Sequence, residues 1–226
     1  MNKLKVKWIG QAGYILSDSN TTICIDPYLS DVVNRVANRP RMVAAPFSPE
    51  ELCADAVICT HNHLDHIDID AIPHMDKNIQ FFAPSDCKDT LTELGVIHYN
   101  EFNEGTTIKL GDFELTAVFA DHTVPAVGVV VKHSGNTLYF TSDTLYNEKL
   151  GNVKCDILFI CINGKLGNMN VEEAIEITKV ISPKTAVPNH YDMFESNSEN
   201  PENFKVNNRF IMKYNKEYEV KNGCLI

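Results

Sequence analysis

The sequence predicts an α/β (α+β) fold, a four-layer αβ/βα sandwich in which two sheets pack face to face and helices cover their outer sides. Three observations predict it. Short β-type runs separated by turn residues fill the first third of the chain. Later hairpin signals imply antiparallel pairs, which an alternating doubly wound sheet would lack. The order strand-rich then helical occurs twice.

Taken in order, residues 4–9, 14–16 and 22–26 read as strands, parted by Gly10-Gln11-Ala12-Gly13 and by 17–20. A loop carrying Arg35, Arg39 and Arg41 then runs to about Pro46. Ser48-Pro49-Glu50-Glu51 combines a cap, a proline at the first helical position and a glutamate three residues after the cap, so it opens a short helix. Residues 56–59 form a buried strand, 80–83 another, and 85–94 a helix ended by Gly95. Residues 107–110 and 114–120 flank Gly111-Asp112, and 127–132 and 137–141 flank Ser134-Gly135-Asn136, two hairpin signatures. Residues 157–162 are an apolar strand, 170–180 a helix capped by Asn170 with Glu173 in the capping-box position, and 185–187 a last core strand. The tail is expected to hold a helix near 204–214 and a strand near 219–220.

Nothing in the 226 residues resembles a repeat or linker, so one domain spanning 1–226 is expected. Hydrophobic residues at 44% and charged residues at 22% match ordinary globular usage, which excludes disorder as the starting point. No apolar run approaches the roughly 18 residues of a membrane helix, and no long apolar stretch follows the first lysines; a cytoplasmic protein without membrane partners is expected. Seven cysteines, without a C-x-x-C pair and mostly inside apolar runs, read as small buried hydrophobes. The net charge of −10 weighs against nucleic acid as a partner and leaves a small-molecule substrate, which a bound metal would allow to be anionic. Homo-oligomer formation stays open.

The strongest chemical signal is His61-Asn62-His63-Leu64-Asp65-His66. Imidazole and carboxylate suit zinc, manganese or iron at neutral pH. In an extended segment His61 and His63 point to one side and can share an ion, while Asp65 and His66, where the chain must turn, can reach a second. Six residues cannot complete two coordination shells. His122, Asp143 and His190 each follow an apolar strand and are the candidates to complete them; His74, His98 and His133 lack that placement.

These residues resemble the metallo-β-lactamase-fold hydrolases, whose pattern is H-x-H-x-D-H after a strand, then a histidine, a bridging aspartate and a final histidine. The resemblance implies one site from His61, His63 and His122, a second from Asp65, His66 and His190, and Asp143 bridging. It also implies two divalent ions, manganese or zinc with iron as a further choice. Asp26, in Ile25-Asp26-Pro27, matches the family's early aspartate and is expected behind the ligands, holding the histidine loop. Within the superfamily, Trp8-Ile9-Gly10-Gln11-Ala12-Gly13, Ile25 through Ser30, Thr60 through Asp68, Val127-Gly128-Val129-Val130, Ile162-Asn163-Gly164 and Gly167-Asn168-Met169 resemble the branch containing L-ascorbate-6-phosphate lactonase. One departure is Ser142, where the family commonly has glycine before the bridging aspartate. The chain is also shorter than those lactonases, so insertions that recognise substrate are expected to be missing.

The implied activity is metal-dependent hydrolysis of an ester or lactone by a metal-bound hydroxide, with a phosphorylated sugar lactone as one substrate and Asp65 as the catalytic residue that orients the nucleophile and accepts a proton. Tyr191, Asn168 and Arg41 are the candidate substrate contacts, with Arg35 and Arg39 beside Arg41 able to cap the mouth of the site; the arginine loop reads more readily as a solvated segment, and Asn168-Met169-Asn170 as simple capping by Asn170. Two rival readings are a phosphodiesterase or nuclease of the same fold and a non-catalytic metal-binding protein.

Overall fold

The computed structural model of the chain describes residues 2–226. The first sheet is assembled from β1 (Lys5–Gly10), β2 (Gly13–Ser17), β3 (Thr22–Ile25), β4 (Ala56–Ile58), β5 (Gln80–Ala83) and β6 (His98–Glu101), with β13 (Glu217–Lys221) and β14 (Cys224–Leu225) added at the β1 edge. The second is built from β7 (Thr107–Leu110), β8 (Phe113–Phe119), β9 (Val127–His133), β10 (Asn136–Phe140), β11 (Ile157–Cys161) and β12 (Thr185–Asn189). Both sheets are mixed. Hairpins give antiparallel β1–β2–β3 and β7–β8–β9–β10, whereas β3–β4–β5–β6 and β10–β11–β12 run parallel.

Alternation along the strands produces the layers. Ile23, Ile25, Ile58 and Phe82 face the other sheet, while Cys24, Val57, Cys59 and Phe81 turn outward onto Leu91, Ile72 and Met75. Between the sheets, Phe140 and Phe159 stack at 4.2 Å and Tyr14 meets Phe159 at 4.9 Å. The helices α1 (Val32–Ala37), α2 (Lys88–Glu93) and α3 (Val171–Ile181) are short. α3 buries Val171, Ala174, Ile177 and Ile181, an i, i+3, i+4 stripe, and opens with the expected reciprocal cap between Asn170 and Glu173. No helix among the described residues is long and apolar enough to cross a membrane.

Among the elements that differ from the sequence reading, β14 adds a short strand after the expected one near 219–220, and three others bear on the layers. α1 forms inside the segment read as loop, and His98–Glu101 adds an edge strand that its exposed polar residues concealed. The tail helix expected near 204–214 is absent. That segment instead lies along β12, where Ala186 donates to the Asn208 carbonyl at 3.0 Å and Phe210 to the Ala186 carbonyl at 2.8 Å. Covering the outer strand of a sheet outweighs the weak helix propensity of Val206-Asn207-Asn208.

Candidate metal centre

Strand ends bring the site together. β3 and β4 are parallel neighbours, so Asp26 and Thr60 leave the first sheet side by side. β8, β10 and β12 share a direction in the second sheet, and His122, Asp143 and His190 follow their ends. A bridge between His61 and Ala126, and a hydrogen bond from Val127 to the Thr60 carbonyl at 3.1 Å, tie the two sheets together here. The histidine loop turns tightly, with His66 and Ile67 donating to the His63 carbonyl at 3.0 and 2.7 Å. Buried Asp68 anchors its far end by accepting from Leu29, Ser30 and Ala71.

His61 Nε2 and His122 Nε2 lie 3.1 and 3.2 Å from His63 Nδ1. A tetrahedral ion with bonds of about 2.0–2.1 Å places its donors roughly 3.3–3.4 Å apart, so the spacing suits one ion. On the other side, His66 Nε2 is 3.4 Å from Asp143 Oδ1, and His190 Nε2 is 3.1 Å from Asp143 Oδ2 and 3.6 Å from Asp65 Oδ2. The donor atoms of His61, His63 and His122 lie within 4.8 Å of one another, as do those of Asp65, His66 and His190 and those of His61, His66 and Asp143.

Protein partners fix the tautomers. His66 Nδ1 lies 2.8 Å from Asp26 Oδ2 and 3.3 Å from the Thr60 hydroxyl oxygen, so the ring carries its proton on that nitrogen, and His122 Nδ1–H donates to the Gly167 carbonyl at 2.9 Å. The Thr60 hydroxyl gives its proton to Asp26 Oδ2 at 2.7 Å, so towards His61 Nδ1 at 3.1 Å, His66 Nδ1 at 3.3 Å and the Ser142 hydroxyl at 2.6 Å it can act only as acceptor. Each of these three histidines therefore turns an Nε2 lone pair inward. His66 Nε2 and Asp143 Oδ1 are buried and have no hydrogen-bond partner. This dry nitrogen–carboxylate pair, 3.4 Å apart, is matched by positive charge between its atoms, which a proton on His66 or a metal ion supplies. The residues present fit divalent ions.

The electrostatics divide the cluster in two. Burial, then the neighbouring His66, holds His61 well below the usual imidazole range, and burial followed by His122 lowers His63. These rings stay neutral, as ligands must. At His66 burial opposes the cation, but the carboxylates of Asp26, Asp143 and Asp65 outweigh it and raise the ring well above its ordinary value. His190 is raised against burial by Asp143. Burial opposes the Asp143 carboxylate, yet His190 and His66 hold it well below the carboxylate range.

Ser142 adopts φ +58°, the left-handed conformation for which glycine is the usual residue, and Asp143 still reaches both His66 and His190. Gln11, Asp26 and His190 also sit at positive φ, +52°, +44° and +62°. The candidate substrate contacts lie elsewhere than expected. Arg41 donates to the carbonyls of Tyr28, Ser30 and Val43 and lies over the Tyr28 ring, so it clamps the loop. Buried Asn168 donates to Asp143 Oδ2 at 2.8 Å. Tyr191 is buried against Trp8 and lines a separate cavity of about 180 Å³. Sequence reasoning missed Thr60 and Gln11. The Gln11 amide donates to Asp65 Oδ2 at 2.8 Å and lies 3.3 Å from His190 Nε2, and in sequence it stands out only within the Gly10–Gly13 turn and the Trp8–Gly13 segment of the branch resemblance, without a role of its own.

The chain is 29% identical over 223 residues to a UPF0173 metal-dependent hydrolase of Archaeoglobus fulgidus, covering 89% of each, and 27% identical over 206 residues to a UPF0173 protein of Pyrococcus furiosus, again covering 89% of each. Among solved structures it superposes on Igni18, a metallo hydrolase from Ignicoccus hospitalis, with a TM-score of 0.79 at 20% identity, over 97% of this chain and 99% of that one. An isothiocyanate hydrolase from Delia radicum gut bacteria superposes with a TM-score of 0.78 at 20% identity, over 94% and 97% of the two chains. The family model for the beta-lactamase superfamily domain matches residues 21–191, from β3 through the residue after His190, and the chain belongs to that superfamily.

Proposed function

We propose that the chain is a metal-dependent hydrolase that holds two divalent ions, manganese or zinc with iron as a further choice, and cleaves the ester or lactone bond of a small, anionic molecule. The observation that carries this reading is that His61, His66 and His122 each meet an acceptor oxygen at Nδ1, which turns Nε2 inward as the ligand atom. His61, His63 and His122 would hold one ion, Asp65, His66 and His190 the other, with Asp143 between them. When bound, such ions lower the pKa of a water towards neutrality and stabilise negative charge developing on the substrate oxygen.

The chain's own groups do the rest. Gln11 fixes Asp65 Oδ2, and the hydrogen bonds of the described residues leave Oδ1 unengaged, in position to orient a nucleophile and take its proton. Asn168 holds Asp143 Oδ2 by donating to it at 2.8 Å. His61, His66 and His190 are buried, whereas His63, Asp65 and His122 are half-buried, so substrate approaches on the side of the latter three. A phosphorylated sugar lactone is one member of the substrate class, suggested by the branch resemblance alone.

The test is a panel of lactones, carboxylic esters, thioesters and phosphodiesters offered to manganese- or zinc-loaded protein. Turnover of an ester or lactone, lost on chelation and regained on adding metal, is the expected result. His63→Ala and Asp65→Ala should each reduce it by about 10²-fold or more while the circular dichroism spectrum is kept. Metal analysis finding under about half an ion per chain after saturation would defeat the reading. Cleavage of phosphodiesters alone would shift it to the nuclease-type alternative.

A further inference from the structure

Beside the metal centre lies a cavity of about 400 Å³, within the range of small-molecule sites, lined by His63 and Asp65 and by Arg39. Its other walls are mainly apolar: Val33 and Ala37 from α1, Leu64 from the histidine loop, and Leu166. We infer that Arg39 and these walls recognise an amphiphilic anion, in which an apolar chain separates a carboxylate or phosphate group from the bond to be cleaved. The inference rests on the hydrolase reading and narrows its substrate class.

Arg39 stands apart from the chain's other arginines. Arg35 makes a two-pronged ion pair with Asp70 at 2.9 and 2.6 Å. Arg41 spends Nε and Nη1 on three backbone carbonyls, with Nη2 buried inside the clamp, and Arg209 is held by Glu202 and nearby carbonyls. Arg39 is half-buried, yet among the described residues its guanidinium has no hydrogen bond and no ion pair. Its five donors meet no protein acceptor in a chain of net charge −10, so its complement is open. A bidentate oxyanion supplies it.

The neighbouring groups hold Arg39 where it is. The Arg35–Asp70 pair and the Arg41 clamp fasten the chain on both sides of it, and Asn38 ends α1 at φ +52°, the left-handed turn that delivers the next residue. Leu166 is held at φ +57°, unfavourable for a branched side chain without local polar compensation, and is 54% exposed. A strained backbone that presents an apolar side chain to a cavity is consistent with contact to an apolar ligand. The same walls offer little to the hydroxyls of a sugar, which sets this substrate apart from a sugar lactone.

Two arms test the proposal. First, calorimetry measures the binding of hexanoate and of hexylphosphonate, neither of which can be hydrolysed, to metal-loaded wild type, Arg39→Ala and Arg39→Lys. Wild type should bind at least one of them about 10-fold or more tightly than Arg39→Ala does, with Arg39→Lys between, and the anion preferred identifies the head group. Second, the ratio of kcat/KM for an anionic ester over its neutral isostere should fall by a similar factor in Arg39→Ala, the loss appearing in KM. Equal affinity of wild type and Arg39→Ala for both anions would overturn the proposal. Failure of wild type to hydrolyse any ester would remove the hydrolase reading instead, and the calorimetric arm would still decide the role of Arg39.

Discussion

Asp26 Oδ2 sits 2.8 Å from His66 Nδ1, and the same carboxylate accepts from the Thr60 amide and hydroxyl at 2.8 and 2.7 Å. One buried carboxylate therefore sets the tautomer of His66 directly and that of His61 through Thr60. Because β3 and β4 are adjacent and parallel, this contact is a product of sheet order and not of sequence proximity.

Asp26→Asn tests the relay. Asparagine tolerates the φ of +44° at this position, so the backbone is not the variable. Its amide, however, sets an N–H against one of three donors, leaving a buried clash or an unpaired group. Metal affinity should drop about 10–100-fold, measured by competition with a chromophoric chelator, and stability by about 1–3 kcal/mol in urea. An unchanged affinity would mean that His66 is oriented without Asp26.

Ser142 carries a second, opposed pair of effects. Its φ of +58° costs about 1 kcal/mol relative to glycine, whereas its hydroxyl gives Thr60 a 2.6 Å hydrogen bond worth a similar amount. Ser142→Ala loses the bond and keeps the strain; Ser142→Gly loses the bond and relieves it. Urea unfolding should place Ser142→Gly within about 1 kcal/mol of wild type and Ser142→Ala about 1 kcal/mol below Ser142→Gly. Equal stability of the two variants would show that no strain is stored there.

Gly167 presents its carbonyl to His122 Nδ1 and comes so close that an added Cβ would lie 2.9 Å from the His122 ring and 2.8 Å from Thr123 Cγ2, at a φ of +89°. Gly167→Ala should tilt or displace the ring and weaken the ion shared by His61, His63 and His122 by about 10-fold or more. The measurement is metal stoichiometry under chelator competition, with circular dichroism as the check on folding. Wild-type affinity in this variant would show that the ring is not held by the Gly167 carbonyl.

The sequence displayed the parts of the site that are local. His61, His63, Asp65 and His66 stand out because four ligand-type side chains share six residues, and His122, Asp143 and His190 because each follows an apolar strand. Thr60 and Gln11 carry no such mark. A threonine beside a histidine is unremarkable until the sheet order sets Asp26 next to it, and Gln11 reaches Asp65 across 54 residues. α1 was hidden by valines and asparagines, poor helix formers that are stabilised here by packing Val32 and Val33 against Tyr28, Met193 and Phe194. The tail erred the other way. Its apolar spacing mimics a helix, but an open edge at β12 offered it backbone partners.

At the opposite end of β9 from the metal centre, His133 Nε2–H donates to Asp18 Oδ2 at 2.9 Å, and both side chains are buried. Asp18 Oδ1 accepts from the amides of Asn20 and Thr21 at 2.8 and 2.9 Å, while Asp112, the other acid near the pair, is exposed and accepts from Asn2. Burial disfavours the Asp18 carboxylate, but the His133 bond and the two amides outweigh it and lower its pKa. A group whose pKa is lower folded than unfolded adds stability above its unfolded value, and that stability is lost as pH falls through the folded value. Asp18→Asn should therefore be less stable than wild type at neutral pH, and the gap in urea unfolding free energy should hold down to about pH 4 and close below it. A gap that stays constant or widens on acidification to about pH 2.5 would show that the folded chain does not favour the ionised form of Asp18.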